Sequence, residues 1–154
     1  KQSTKPVVAF IRQSGTSAAY WAISSADRIF ASKNSDVGSI GVTSSYTENL
    51  DVDKRFVQLS SGKYKDMGNP DRRMTADEIT LAMRDLKIIH QNFIDEVANN
   101  RNLPVEDVTK IADGSSVLGA RAKELGLIDE IGGLSEVEKY VESLTGERVE
   151  TCWE

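Results

Sequence analysis

Cysteine is nearly absent from this 154-residue chain. The only one is Cys152, so no internal disulfide can form, and its place near the C-terminus gives it no expected catalytic role. Histidine is as scarce: His90 stands alone, and any Ser-His-Asp triad would have to use it. No apolar stretch approaches the roughly 18 residues that a membrane-spanning helix needs. There is no excess of basic charge either. The net charge is −5 and no basic run with interleaved aromatics occurs, which argues against a nucleic-acid surface. Internal repeats, low-complexity tracts and linkers are also missing. The first residue is Lys1, not Met, and an apolar run begins by Pro6. The chain is therefore expected to be a fragment or processed product, with any anchor or signal upstream.

What is present suits one globular domain with a real core, at 39% hydrophobic and 28% charged residues. Pro6 to Ile11 reads as a buried strand, since β-branched residues pack well there and the run is too short for a helix. Ser17 to Ala26 is a small-residue segment able to pack as a helix against a sheet, with Gly15 expected to supply the sharp turn between the two. Asp27 to Ser32, Gly38 to Thr43, Arg55 to Ser60 and Leu127 to Ile131 read as further strands. Lys33 to Val37, Thr47 to Asp53 and Ser61 to Pro70 read as loops. Thr75-Ala76-Asp77-Glu78 has the form of a capping box. It precedes the longest helix, which should end near Asn100. Ile79, Met83, Leu86, Ile89, Phe93 and Val97 form its apolar stripe. Pro104 opens a short helix through Ile111. Ser116 to Leu118 is a strand or turn, Ala120 to Leu125 a helix, and Leu134 to Leu144 a last amphipathic helix. Strands alternating with helices imply an α/β fold.

The stretch from Arg12 to Ala22 organises the rest. A serine at a strand-to-helix turn has an exposed hydroxyl and lies beside the free N–H groups of a helix start, which can stabilise an oxyanion. Gly15-Thr16-Ser17-Ala18-Ala19 is close to the G-x-S-x-G elbow but ends in Ala. A serine in this setting is more often only a helix cap. His90, between Ile89 and Phe93, reads as a packing or surface histidine. A Ser-Lys pair needs no histidine, and a buried lysine can fall from a pKa of about 10.4 towards neutrality. Lys63 and Lys65 both flank Tyr64, and spacing does not choose between them. Asp51/Asp53 and Asp129/Glu130 have no histidine partner, so no metal site is expected, and no cofactor is called for. Gly38-Ser39-Ile40-Gly41 lacks the Gly-Lys-Ser/Thr of a P-loop. Tyr20 and Trp21 are assigned to the core.

Three stretches together resemble the signal peptide peptidase A family of serine proteases. They are Lys5 to Ala9 followed by Ser17-Ala18-Ala19-Tyr20-Trp21 and Ser25-Ala26-Asp27; Gly38-Ser39-Ile40-Gly41-Val42; and Ser61-Gly62-Lys63-Tyr64-Lys65-Asp66 with Asn69-Pro70 and the Thr75 cap. A weaker likeness runs from Lys110 to Gly114 and on to Gly132. The resemblance implies a ClpP/crotonase-like α/β fold of repeated strand-strand-helix units, with residues 1–154 as a single protease domain truncated at its N-terminus. It implies Ser17 as nucleophile, Lys65 as general base, Ser39 as a second serine orienting the lysine, and the Ala18 backbone N–H as an oxyanion donor. It also implies peptide substrates such as signal-peptide remnants, a homo-oligomer, and attachment through an N-terminal anchor to the outer face of the plasma membrane. Three departures stand out. Ala18-Ala19 replaces two glycines, the segment from Val42 to Phe56 is short, and the upstream Asn-Ser-Pro-Gly-Gly region carrying the other oxyanion donor is missing. The rival expectations are a protease for one membrane or capsid protein, an assembly module whose chemistry has lapsed, and an acyl-CoA-binding crotonase relative.

Overall fold

The first apolar run forms β1 (Val8–Ile11). It is followed by β2 (Ser14–Thr16), α1 (Ala18–Ile23), β3 (Arg28–Ala31) and β4 (Asp36–Gly38). Then come α2 (Ala76–Arg101), α3 (Val105–Ile111), β5 (Ser116–Leu118), α4 (Gly119–Glu124), β6 (Glu130–Ile131) and α5 (Leu134–Thr145). The chain is thus mixed α/β. The computed structural model describes residues 3–49 and 58–152. It divides into two compact units, one from residues 1–41 and 92–154 and the other from residues 42–91, with the boundary inside α2.

In the first unit the strands form two three-stranded sheets. One has the order β1-β3-β6 and is parallel throughout, with Phe10 opposite Phe30 and Ala31 opposite Ile131. The other has the order β2-β4-β5, with β2 and β4 parallel and β5 antiparallel to β4. Parallel strands need crossovers that cover them, which favours buried apolar residues at their centres, as at Ile29, Phe30 and Val37. Ile11, Ile29 and Val37 meet Tyr20 of α1, Val97 of α2 and Val108 of α3 in one core. Each such side chain contributes about 1.5–3 kcal/mol on burial. The end of α2 is tied to β3 through a polar pair. Arg101 Nη2 donates to Asp129 Oδ1 at 2.8 Å, and Asp129 Oδ2 accepts the Ile29 N–H at 2.7 Å. Burial pushes the Asp129 carboxyl up, but Arg101 and the Ile29 N–H outweigh it and hold the group below the usual carboxylate range.

In the second unit the capping box forms as expected. Thr75 Oγ1 accepts the Glu78 N–H at 3.3 Å, and Glu78 Oε2 accepts the Thr75 N–H at 2.8 Å. Residues 61–72 make an irregular turn-rich loop.

Several expectations need correction. Gly38 to Thr43 is not a strand. The strand lies earlier, at Asp36–Gly38, because Ser39 takes φ 50° and donates its N–H to Ser115 O. Gly15 is not the turn but the middle of β2, where a Cβ would lie 2.8 Å from Ile11 Cδ1. The last strand shortens to Glu130–Ile131, since the Leu127 N–H is used in closing α4 on Ala122 O. The apolar stripe of α2 is buried only from Phe93 onward, while Ile79, Met83 and Ile89 keep 46%, 46% and 42% of their surface exposed. For the strand expected at Arg55 to Ser60, Arg55, Phe56 and Val57 lie outside the described residues, and Gln58 to Ser60 form no strand.

Candidate active site

Ser17 occupies the corner between β2 and α1 with φ 53° and ψ −128°. A side chain in this region costs about 1–3 kcal/mol and persists only where its surroundings fix it. Here they do so from both sides. The Ser17 N–H donates to Gly38 O at 2.8 Å, and Ser17 O accepts the Trp21 N–H at 2.9 Å. On α1, Tyr20 is fully buried and its hydroxyl donates to Leu127 O at 2.8 Å. Trp21 stacks on Phe93 with ring centroids 4.4 Å apart and donates to Glu96 at 2.6 Å.

Although Ser17 stands at the N-cap, its hydroxyl makes no capping hydrogen bond. That excludes the ordinary role of a serine before a helix. Ser17 is exposed, and so is Ala18 behind it, whose N–H has no acceptor within the helix. The positive φ falls on Ser17 itself, while Ala18 and Ala19 are plain helical residues. Alanine is the best helix former, so the Ala-Ala departure leaves the turn unaffected.

Ser39 follows β4 as Ser17 follows β2. The register sets Thr16 opposite Gly38, so the two serines leave neighbouring parallel strands at the same end. Ser39 also has a positive φ, 50°. Its Oγ donates to Gly114 O at 2.9 Å, and its N–H donates to Ser115 O at 3.0 Å. With its proton given to Gly114, the Ser39 hydroxyl has only lone pairs left to offer. Ser115 is held in turn by Asp113, whose Oδ1 accepts the Ser115 hydroxyl at 2.6 Å and its N–H at 2.8 Å. Gly41 lies against this turn, where a Cβ would sit 2.9 Å from Gly114 Cα. Asp113-Gly114 reads in the sequence only as a helix stop. An Asp-Gly pair is also a turn signal, and that was the one hint of a support for Ser39.

Lys63 and Lys65 lie in the second unit and are no longer equivalent there. Lys63 Nζ donates to Asp77 Oδ2 at 2.7 Å and lies 5.0 Å from the centre of the Tyr64 ring. Its hydrogen bond to Asp77, and then that to Tyr64, pushes the amine well above its ordinary range and keeps it charged. Lys65 forms no ion pair among the described residues, and its side chain is exposed rather than shielded. Asp66, next to it, is bonded instead to Arg72 and Asn69. His90 is half-buried on α2, and its Nε2 is buried without a partner among the described residues. It lines a cavity of about 350 Å³ with Thr43, Ser44, Met83 and Lys87. No cluster of three or more His, Cys, Asp or Glu suited to a metal ion occurs among the described residues.

The sequence is 36% identical over 144 residues to "Putative protease MJ0651" of Methanocaldococcus jannaschii, covering 91% of this chain and 46% of that protein. It is 33% identical over 139 residues to the chloroplastic serine protease SPPA of Arabidopsis thaliana, covering 86% of this chain and 20% of that one. It is also 30% identical over 133 residues to "Putative signal peptide peptidase SppA" of Enterococcus faecium, covering 82% of this chain and 38% of that one. The chain thus spans about half the length, or less, of these curated relatives. The match to peptidase family S49 runs over residues 1–147 and takes in both serines and both lysines. With that coverage, the chain belongs to peptidase family S49.

Proposed function

We propose that the protein is a serine endopeptidase working through a Ser17–Lys65 dyad. The observation that carries the reading is Ser17 itself: a strained, exposed serine whose hydroxyl does no capping, at a strand-to-helix corner fixed from both sides. Its side chain does no capping work in this costly conformation, and a nucleophile needs this exposure and this rigidity. Lys65 takes the Ser17 proton during attack on the peptide carbonyl and returns it to the leaving amine, and water then hydrolyses the acyl-enzyme. Lys63 is a poor base because Asp77 keeps it protonated. Ser39 accepts a hydrogen bond from the lysine and orients it, which suits a hydroxyl whose proton is already engaged by Gly114. The Ala18 N–H stabilises the oxyanion. Because Lys65 is exposed in the chain alone, the bound peptide supplies the water exclusion that a neutral amine requires.

The proposed substrates are extended hydrophobic peptides, signal-peptide remnants among them, and the name of the Enterococcus faecium relative, a putative signal peptide peptidase, supports the latter. The same reading makes residues 1–154 part of one protease domain of ClpP/crotonase type. It also includes a homo-oligomer attached to the outer face of the plasma membrane.

A fluorophosphonate probe on the full-length protein tests this directly. Peptide mapping is expected to find the label on Ser17, and Ser17→Ala is expected to abolish both labelling and peptide hydrolysis. Labelling elsewhere, or hydrolysis surviving in Ser17→Ala, would discard the nucleophile. A chain inert to the probe would favour the lapsed assembly module.

A further inference from the structure

We propose that Arg72 is a positioning residue for Lys65: it grips Asp66, keeping the carboxylate adjacent to the lysine away from the amine, and fixes the lysine loop to the start of α2. The inference rests on Lys65 being the general base. Its geometry lies wholly within the second unit.

The Arg72 guanidinium is saturated. Its Nε donates to Asp66 Oδ2 at 2.8 Å, and Nη2 donates to Asp66 O at 2.7 Å and to Glu78 Oε1 at 2.6 Å. Nη1 donates to Glu78 Oε2 at 2.8 Å and to Arg73 O at 3.0 Å. All five N–H groups are thus engaged. Glu78 is 2% exposed and is also the capping-box acid of α2, so the loop is joined to the start of that helix by a rigid planar fork. The other Asp66 oxygen accepts from Asn69 Nδ2 at 3.1 Å. The bond from Arg72 comes first among the causes holding the Asp66 carboxyl below its ordinary range.

The surrounding charges point the same way. Asp77 is paired with Lys63, Glu78 with Arg72, and Glu48 with Arg73 at 3.8 Å. Tyr64 lies beneath Lys63, and the Asp71 N–H donates to Asn69 Oδ1. Asp66 is the carboxylate next to Lys65 in the chain, and Arg72 and Asn69 are what occupy it. A free Asp66 would stabilise the ammonium form and raise the pKa of Lys65. Lysine could not replace Arg72, since a point charge with three donors cannot hold two carboxylates and two carbonyls in one plane.

The test is the titration of Lys65 in the full-length protein. It is followed by competitive acetic anhydride labelling with mass spectrometry, alongside the pH profile of kcat/KM. In Arg72→Met/Glu78→Gln, which leaves no unpaired buried charge, Lys65 labelling and the acid limb of kcat/KM are both expected to move up by about one pH unit. That is about a tenfold loss at pH values below the limb. Adding Asp66→Asn to that pair is expected to move both back. Asp66→Asn alone retains the loop and is expected to leave the Lys65 titration where it is. The proposal is overturned if the double variant titrates like the parent, or if Asp66→Asn alone lowers the Lys65 pKa by a comparable amount. Activity surviving in Lys65→Ala would reject the dyad instead, and the labelling curve would still judge Arg72.

Discussion

Around Ser17 the chain is held by backbone ladders and apolar packing: paired parallel strands, a buried tyrosine and a tryptophan stacked on Phe93. Around Lys65 it is held by side-chain charge, with Asp66, Arg72, Glu78 and the Lys63–Asp77 pair organising a turn-rich loop. The difference fits the two tasks proposed for these residues. A nucleophile in a costly backbone conformation needs surroundings that cannot relax, and close packing provides that. A base needs its protonation state controlled, which neighbouring charges do through distance and sign. Substitutions that loosen packing should therefore act on the serine, and changes of pH should act on the lysine loop.

The largest effect should come at the lysine. Lys65→Ala and Lys65→Arg are each expected to lower kcat/KM of the full-length enzyme by about 10³-fold or more, because guanidinium does not deprotonate in the working range. Both should retain the circular dichroism spectrum of the parent. Next comes Phe93→Ala, which removes a 1% exposed ring and the stacking partner of Trp21. It should cost about 3–5 kcal/mol of stability in denaturant melts and slow probe labelling of Ser17 under conditions where the protein is still folded. Labelling at the parent rate would show that the elbow does not depend on the stack.

The charged region should respond to acid. Glu78 is lowered from its ordinary 4.5 to about 2, first by its hydrogen bond to Arg72 and then by that from the Thr75 N–H. A carboxyl depressed on folding contributes stability that is present above the unfolded value and lost as pH falls through the folded one. Between about pH 4.5 and 2 the first turn of α2 should therefore lose hydrogen-exchange protection, while the Phe30 amide, in the middle of β3, loses less. Equal loss in both regions would erase the contrast. The smallest effect belongs to Lys63→Ala, expected to keep kcat/KM within about tenfold of the parent, or about 1.4 kcal/mol in barrier. If Lys63→Ala were inactive and Lys65→Ala active, the two lysines would have to exchange roles.

Local signals were legible in the residues themselves. The capping box, the span of α2, the helix after Pro104 and the strand-Ser17-helix order follow from hydrogen-bonding side chains, the fixed φ of proline and apolar periodicity. These act over a few residues and need no partner elsewhere. Family membership was legible too, through Gly38 to Val42 and the Lys63 to Asp66 stretch. The split of the α2 stripe was not, since periodicity shows that a face is apolar but not what covers it. The support of Ser39 by Gly114 and Ser115 joins residues some 75 positions apart, and no local rule reports it. That Ser17 bends the chain where Gly15 was expected to, and that Asp77 pairs with Lys63, were likewise decided only in three dimensions. Backbone strain and proton affinity depend on which groups meet, and that is fixed by packing rather than by spacing along the chain.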